Sequence, residues 1–254
     1  MTSTRLFQIA ILCALILPVM ACSTSGSGPQ QSPNSPINDP FESANRATFA
    51  FNTVVDDNVI EPIIEGYRFI TPQPARTGLR NFLRNLGSPI NFANQVLQGD
   101  VEGAKNVFLR TSINTLVGVG GLFDVAGYEG IEYEAEDFGQ TLAVWGLGHG
   151  PYFVMPFFGP SSLRDGTGFA VDAIADPFNY YVDDIGEESL TVYRAGLSYV
   201  DLRNSLHDVL KDLQRNSFDY YAATRSAYYQ RREALVMDLA NGVSSATSGF
   251  DDIY

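Results

Sequence analysis

Apolar positions in this chain of 254 residues fall into three regimes. Residues 6–17 form a nearly continuous apolar run behind a single basic residue, Arg5, and are too short to span a bilayer comfortably. Residues 23–36 contain only Ser, Thr, Gly, Pro, Gln and Asn, which cannot bury enough surface to fold on their own. From Ile37 onward the spacing turns helical. Phe41, Ala44, Thr48, Phe51 and Val55 recur in 3,4,3,4 steps, and Ala47, Ala50 and Val54 widen the same face. Asp39 as N-cap, Pro40 at the first helical position and Glu42 three residues after the cap predict a capping-box start. A face this broad is core by default, and a helix lying in lipid shows the same pattern. Further helices are predicted over 74–86, 89–97 and 101–117, the last capped by Asp100 and stopped by Gly118-Val119-Gly120-Gly121. Residues 118–168 are irregular, dense in Gly, Pro and aromatics, with the apolar piece 152–158 broken by Pro156. Two long helices follow over 187–214 and 217–241. The first carries Leu190, Tyr193, Leu197 and Val200 and then Leu206, Leu210 and Leu213. The second carries Tyr220, Tyr221, Tyr228 and Tyr229, which suit either a half-buried packing face or a membrane interface. The pattern predicts one mainly α domain.

The first regime is a secretory signal, and its end refines that reading. Val19-Met20-Ala21-Cys22 resembles a bacterial lipobox, in which Cys22 receives a thioether-linked diacylglycerol and, after cleavage, an acyl chain on its new amine. At about 0.8 kcal/mol per buried methylene, two or three chains anchor a protein stably. The expected organisation is a signal at 1–21, a lipidated linker at 22–37, a helical domain at 38–241 and a disordered tail at 242–254. The linker reaches on the order of 20 Å, from roughly 5–6 Å times the square root of residue number, which keeps the domain at the membrane.

Charge narrows the partners. The signal contains one basic and no acidic residue, so the 16 basic and 29 acidic residues become 15 and 29, a net charge of -14. Such a chain is repelled by phosphate backbones and anionic headgroups, which argues against nucleic acid and against a polybasic membrane patch; any membrane contact must be apolar. Cys13 leaves with the signal and Cys22 takes lipid, so neither a disulfide nor a thiolate metal site is expected. No later apolar run approaches a transmembrane helix, and serial alternating strands of a spanning barrel are not evident.

Catalytic chemistry finds little support. His149, Ser161, Ser162 and Asp165 supply the residue types of a Ser-His-Asp triad, hence a phospholipase reading, but neither serine lies in a Gly-x-Ser-x-Gly elbow. Pro160-Ser161-Ser162 instead predicts a hydroxyl-capped helix start. His149 and His207 are far apart in sequence, so no metal site is expected. Gly118 to Asp124 fails as a dinucleotide fingerprint because Phe123 replaces the third glycine and the segment ends a helix. The chain has no phosphate loop, and no cofactor is expected beyond the covalent lipid on Cys22.

Seven segments stand in a recognisable order: Asn38-Asp39-Pro40-Phe41-Glu42 with Asn45-Arg46; Pro72-Gln73-Pro74-Ala75-Arg76; Gln98-Gly99-Asp100; Gly120-Gly121-Leu122-Phe123-Asp124-Val125-Ala126-Gly127; Asp137-Phe138-Gly139-Gln140-Thr141; Gly148-His149-Gly150-Pro151-Tyr152; and Pro156-Phe157-Phe158-Gly159-Pro160-Ser161-Ser162-Leu163-Arg164-Asp165. Together they closely resemble the MlaA (VacJ-like) family of outer-membrane lipoproteins. The resemblance implies a ring-like helical domain embedded in the inner leaflet of the outer membrane, beside trimeric porins, with a central lipid channel. Misplaced outer-leaflet phospholipids pass through it to a soluble periplasmic carrier, preserving lipid asymmetry. Ser23 fits, since Asp after the lipidated Cys is the usual inner-membrane retention signal in enteric bacteria. The lipid path is expected to involve Gly118, Gly120, Gly121, Phe123, Asp124, Gly148, Gly150, Tyr152 and Pro156, as mouth or hinge. The alternatives are that these glycines only end helices and allow close packing, and that the protein is a structural lipoprotein docking on porins.

Overall fold

The computed structural model describes residues 37–241. The signal, Cys22, the linker up to residue 36 and the tail at 242–254 lie outside the described residues. Helix α1 (Glu42–Val55) continues through a π turn (Asp56–Ile60) into α2 (Glu61–Ile70). Helices α3 (Gln73–Gln98) and α4 (Val101–Leu116) pack along each other. The short α5 (Val125–Tyr128) and α6 (Phe138–Val144) lead to an antiparallel hairpin of β1 (Tyr152–Met155) and β2 (Gly159–Ser162), with Tyr152 opposite Ser162. Helices α7 (Leu163–Ala175), α8 (Pro177–Asp184), α9 (Ser189–Asn216) and α10 (Tyr220–Asn241) complete a mainly α domain. No described helix is long and apolar enough to cross a membrane.

Helix starts follow from short polar side chains that accept from the otherwise unpaired first-turn N–H groups. Asp100 caps α4, Asp124 caps α5, Asp137 caps α6, Ser162 caps α7 and Asp176 caps α8. The hydroxyl cap predicted at the Ser161-Ser162 pair is therefore made by Ser162, which accepts from the Asp165 N–H at 3.2 Å. The first helix departs from expectation. Its N-cap is Phe41 with no side-chain cap, and the Asp39 carboxylate instead accepts from Asn45 at 2.8 Å, from Tyr221 and from Arg225. A tertiary bond to α10 outcompetes the local capping box. Two predicted helices, 74–86 and 89–97, are one: α3 runs through Pro89. An interior proline costs about 3 kcal/mol, and the packing of α3 along α4 offsets it. The hairpin, α2, α5, α6 and α8 were not anticipated, and α5, α6 and the hairpin break up the stretch expected to be irregular; Asp176-Pro177 does have the composition of a cap followed by N1 proline.

Packing inverts the usual distribution. Among the described residues, buried apolar side chains number nine and buried polar or charged ones eighteen, while thirty-six large hydrophobic residues are exposed. Helix α3 shows how. Ser88, Asn91, Asn94 and Gln95 point inward, and Phe92, Val96 and Leu97 point out. The expected apolar face of α1 is likewise outside, with Phe41, Phe51 and Val54 exposed and Asn45 the buried residue. The largest apolar cluster joins Tyr152 and Val154 of β1 to Tyr221 and Tyr229 of α10, with Ile37 and Phe49 packed against it. The tyrosine pairs are thus partly core, as the packing-face reading required.

Candidate functional site

The sequence-predicted residues separate into two groups on different elements. The first, Gly118 to Asp124, closes α4 against α3. The N–H of Gly121 donates to the Asn114 carbonyl at 2.8 Å and that of Phe123 to the Gly118 carbonyl at 2.9 Å. A Cβ on Gly118 would lie 2.2 Å from the Phe123 carbonyl oxygen, and one on Gly121 would lie 2.5 Å from Asn85 Cβ. Only Gly120, at φ +70°, faces open space. Asp124 accepts from both Arg110 Nη2 and Asn114 Nδ2, at 2.7 and 2.9 Å, while capping α5. Phe123 and Val119 are exposed.

The second group surrounds the hairpin. Gly148 has open space around it, while Gly150, at φ +68°, sits against Leu163. Tyr152 is fully buried in the tyrosine cluster, and Pro156 opens an exposed tip whose Phe157 holds φ +67°. Two asparagines of α1, unanticipated from sequence, hold β1 along the edge that β2 leaves unpaired. Asn45 donates to the Tyr152 carbonyl at 3.1 Å and accepts from the Val154 N–H at 3.0 Å. Asn52 donates to the Met155 carbonyl at 2.9 Å and accepts from the Phe157 N–H at 2.9 Å. Their spacing of seven residues is two helical turns, about 10 Å, close to the rise of the three strand residues from Tyr152 to Met155. Asn at i and i+7 of α1 was the available signal.

Beside the tip, α1, the π turn, the hairpin, α9 and α10 enclose a cavity of about 150 Å³. Its walls are largely apolar, with Phe49, Phe157, Phe158, Tyr199 and Leu206 among them. Arg203 is the buried cation in the lining, and its guanidinium grips Asp56 through Nε and Nη2 at 2.7 and 2.6 Å.

A second charged cluster joins α10 to the starts of α6 and α7. Arg232 contacts Asp137 through both terminal nitrogens and reaches Asp165, which also accepts from Arg164 at 2.8 Å and from Tyr228. Burial raises the Asp137 carboxyl, yet the Arg232 guanidinium holds it below its ordinary value. Neighbouring Glu136 has only Gln98 donating to it, at 2.8 Å, and burial pushes it up to about 8. Burial, with Arg164 beside it, pushes the His149 imidazole down to about 4. The residue types of a Ser-His-Asp triad have separate surroundings: Ser162 caps a helix, Ser161 reaches the Ser162 carbonyl at 3.4 Å, Asp165 pairs with arginines, and the buried His149 lies tilted against Tyr229, ring centroids 4.8 Å apart, with its Nδ1 unpartnered.

Comparison with known proteins agrees with this architecture. The MlaA lipoprotein family model matches residues 37–235. The intermembrane phospholipid transport system lipoprotein MlaA of Escherichia coli (strain K12) is 34% identical over 242 residues, covering 94% of this chain and 89% of that one. The lipoprotein of the same name from Shigella flexneri shares the same identity and coverage. An uncharacterised Rickettsia felis protein is 37% identical over 202 residues, covering 79% of this chain and 78% of its own. A solved structure from work on the structural basis for maintenance of bacterial outer membrane lipid asymmetry superposes with a TM-score of 0.68 at 35% identity, covering 78% of this chain and 98% of that chain. The chain belongs to the MlaA lipoprotein family.

Proposed function

We propose that this protein is a lipid-anchored, partly embedded lipoprotein on the periplasmic face of the outer membrane, where it removes mislocalised phospholipid from the outer leaflet. The observation that carries the reading is the inverted packing: polar residues inside, apolar residues outside. In water an apolar surface of that extent is a liability, and against acyl chains it is matched to its solvent. Phe69 at 90%, Leu116 at 83% and Val101 at 80% exposure are then lipid-facing. Drawing two chains of about fifteen methylenes each into water costs on the order of 25 kcal/mol at about 0.8 kcal/mol per methylene, so transfer requires a shielded path.

In this reading a trimeric porin braces the domain, and a soluble periplasmic carrier receives the lipid. Gly120 and the glycines before the hairpin shape the rim of the path, Gly120 and Gly150 holding the left-handed φ of +70° and +68° that favours glycine. The activity is transfer without chemistry, in keeping with Ser162 as a helix cap and Asp165 paired with arginines. Extraction in mild detergent followed by mass spectrometry should find co-purified phospholipid, and deletion of the gene should raise surface-exposed phospholipid in intact cells. Lipid-free protein with unchanged surface lipid would leave only a structural lipoprotein, and release of fatty acid from added phospholipid would make it a lipase.

A further inference from the structure

The cavity beside the hairpin tip has features that the transport reading leaves unused. The Arg203 side chain is 7% exposed and lines an otherwise largely apolar space. A guanidinium presents five donors in a rigid fork. Here Nε and Nη2 are taken by Asp56, while Nη1 is buried without an acceptor. A buried charged donor left unpaired is costly, which makes it a strong site for an anionic oxygen entering from the cavity. Asp57, also in the lining, is exposed and has a single long bond, from Gln214 Nε2 at 3.4 Å. A carboxylate there repels a simple anion but pairs with a cation. The π turn sets these groups side by side: its Asp56 holds the arginine while Asp57 stays open to solvent.

We propose that this cavity is a headgroup site for zwitterionic phospholipid, in which Arg203 Nη1 donates to a phosphodiester oxygen and Asp57 pairs with the ethanolamine ammonium. Size supports a headgroup rather than a whole lipid, because about 150 Å³ holds one ring-sized molecule. The acyl chains then stay outside, against Phe157 and Phe158, which are 56% and 59% exposed, and against Phe51, in edge contact with Phe157 at 5.5 Å. The proposal rests on the transport reading and adds a headgroup preference to it.

The test uses full-length protein extracted in mild detergent, with bound phosphatidylethanolamine and phosphatidylglycerol quantified by mass spectrometry against the source membrane. Wild type should be enriched in phosphatidylethanolamine. Asp57→Asn, at an exposed position, should lower that enrichment at least threefold with an unchanged melting temperature. Arg203→Lys, which keeps a cation beside Asp56 and removes the free fork nitrogen, should lower total retained phospholipid about fivefold. Wild-type lipid content with both variants unchanged overturns the headgroup site and leaves transport standing; lipid-free wild type overturns both. A calorimetric titration with inorganic phosphate should show no binding. Phosphate binding that Arg203→Lys abolishes and Asp57→Asn strengthens would make this a free-anion site and overturn the proposal.

Discussion

Glu136 and Asp137 are adjacent, half-buried carboxylates with opposite electrostatic fates. Asp137 has Arg232, and Glu136 has only an amide, so burial pushes Glu136 up to about 8. A raised pKa means the folded state prefers the protonated acid. Its stabilising contribution is complete below the unfolded value near 4.5 and is lost as pH rises through about 8. Glu136→Gln, which mimics the protonated form, should therefore remove much of this pH dependence and stabilise the protein at pH 8.5 by about 2 kcal/mol, while changing little at pH 4.5. Melting curves at the two pH values check this. His149 has the opposite sign: its neutral form is favoured above 6.5, and that contribution is lost as pH falls through about 4. The glycines separate just as sharply. Gly120→Ala should cost about 1 kcal/mol, the price of an L-residue in the left-handed region. Gly121→Ala meets Asn85 as well and should cost at least twice as much by denaturant unfolding. Gly120, where an added side chain meets nothing, is thus the position at which to examine the rim, with surface phospholipid as the readout.

At the scale of elements, the hairpin is the piece most dependent on others. A two-stranded hairpin is marginally stable alone. Here α1 supplies the missing edge through Asn45 and Asn52, and Asn45 is 4% exposed. Asn45→Ala leaves the Tyr152 carbonyl and Val154 N–H without those partners and should cost about 3 kcal/mol, since each buried unpaired group costs roughly 1–3 kcal/mol. Chemical denaturation gives the magnitude, and hydrogen exchange should show loss of protection concentrated in residues 152–162. If protection falls evenly across the domain, the asparagines do not act on the hairpin. The α4 helix was legible to within a residue because Asp100 and the Gly-rich stop act locally. The hairpin was not legible, because its pairing edge is a helix more than one hundred residues away in sequence.

For the whole molecule, the proposed function predicts from the inverted distribution that the domain holds to membranes by its own apolar surface, independently of Cys22. A secreted Cys22→Ser form should still partition into detergent or vesicles, measured by flotation, and should aggregate when detergent is withdrawn. A clean soluble monomer would reduce the exposed apolar surface to ordinary side chains on a tethered domain. Acidity is reconciled with this surface because carboxylates are spent within the fold: four of the caps are Asp, and Asp39, Asp56, Asp124, Asp137, Asp165, Asp176 and Asp201 pair with arginines.

Sequence by itself determined the helical class, both ends of α4, the hydroxyl-capped start of α7, the two long helices near the C-terminus and the ordered family motifs, because caps, glycine stops and 3.6-residue periodicity are local properties. The tertiary structure decided which face of each helix turns inward. Periodicity reports that a helix has two unlike faces and is silent about the solvent on either side. On α1 and α3 the choice went to Asn45, Asn91 and Asn94, whose partners come from distant segments, and left Phe41, Phe51, Phe92 and Val96 outside. That choice turns an amphipathic helical chain into one built to sit among lipids.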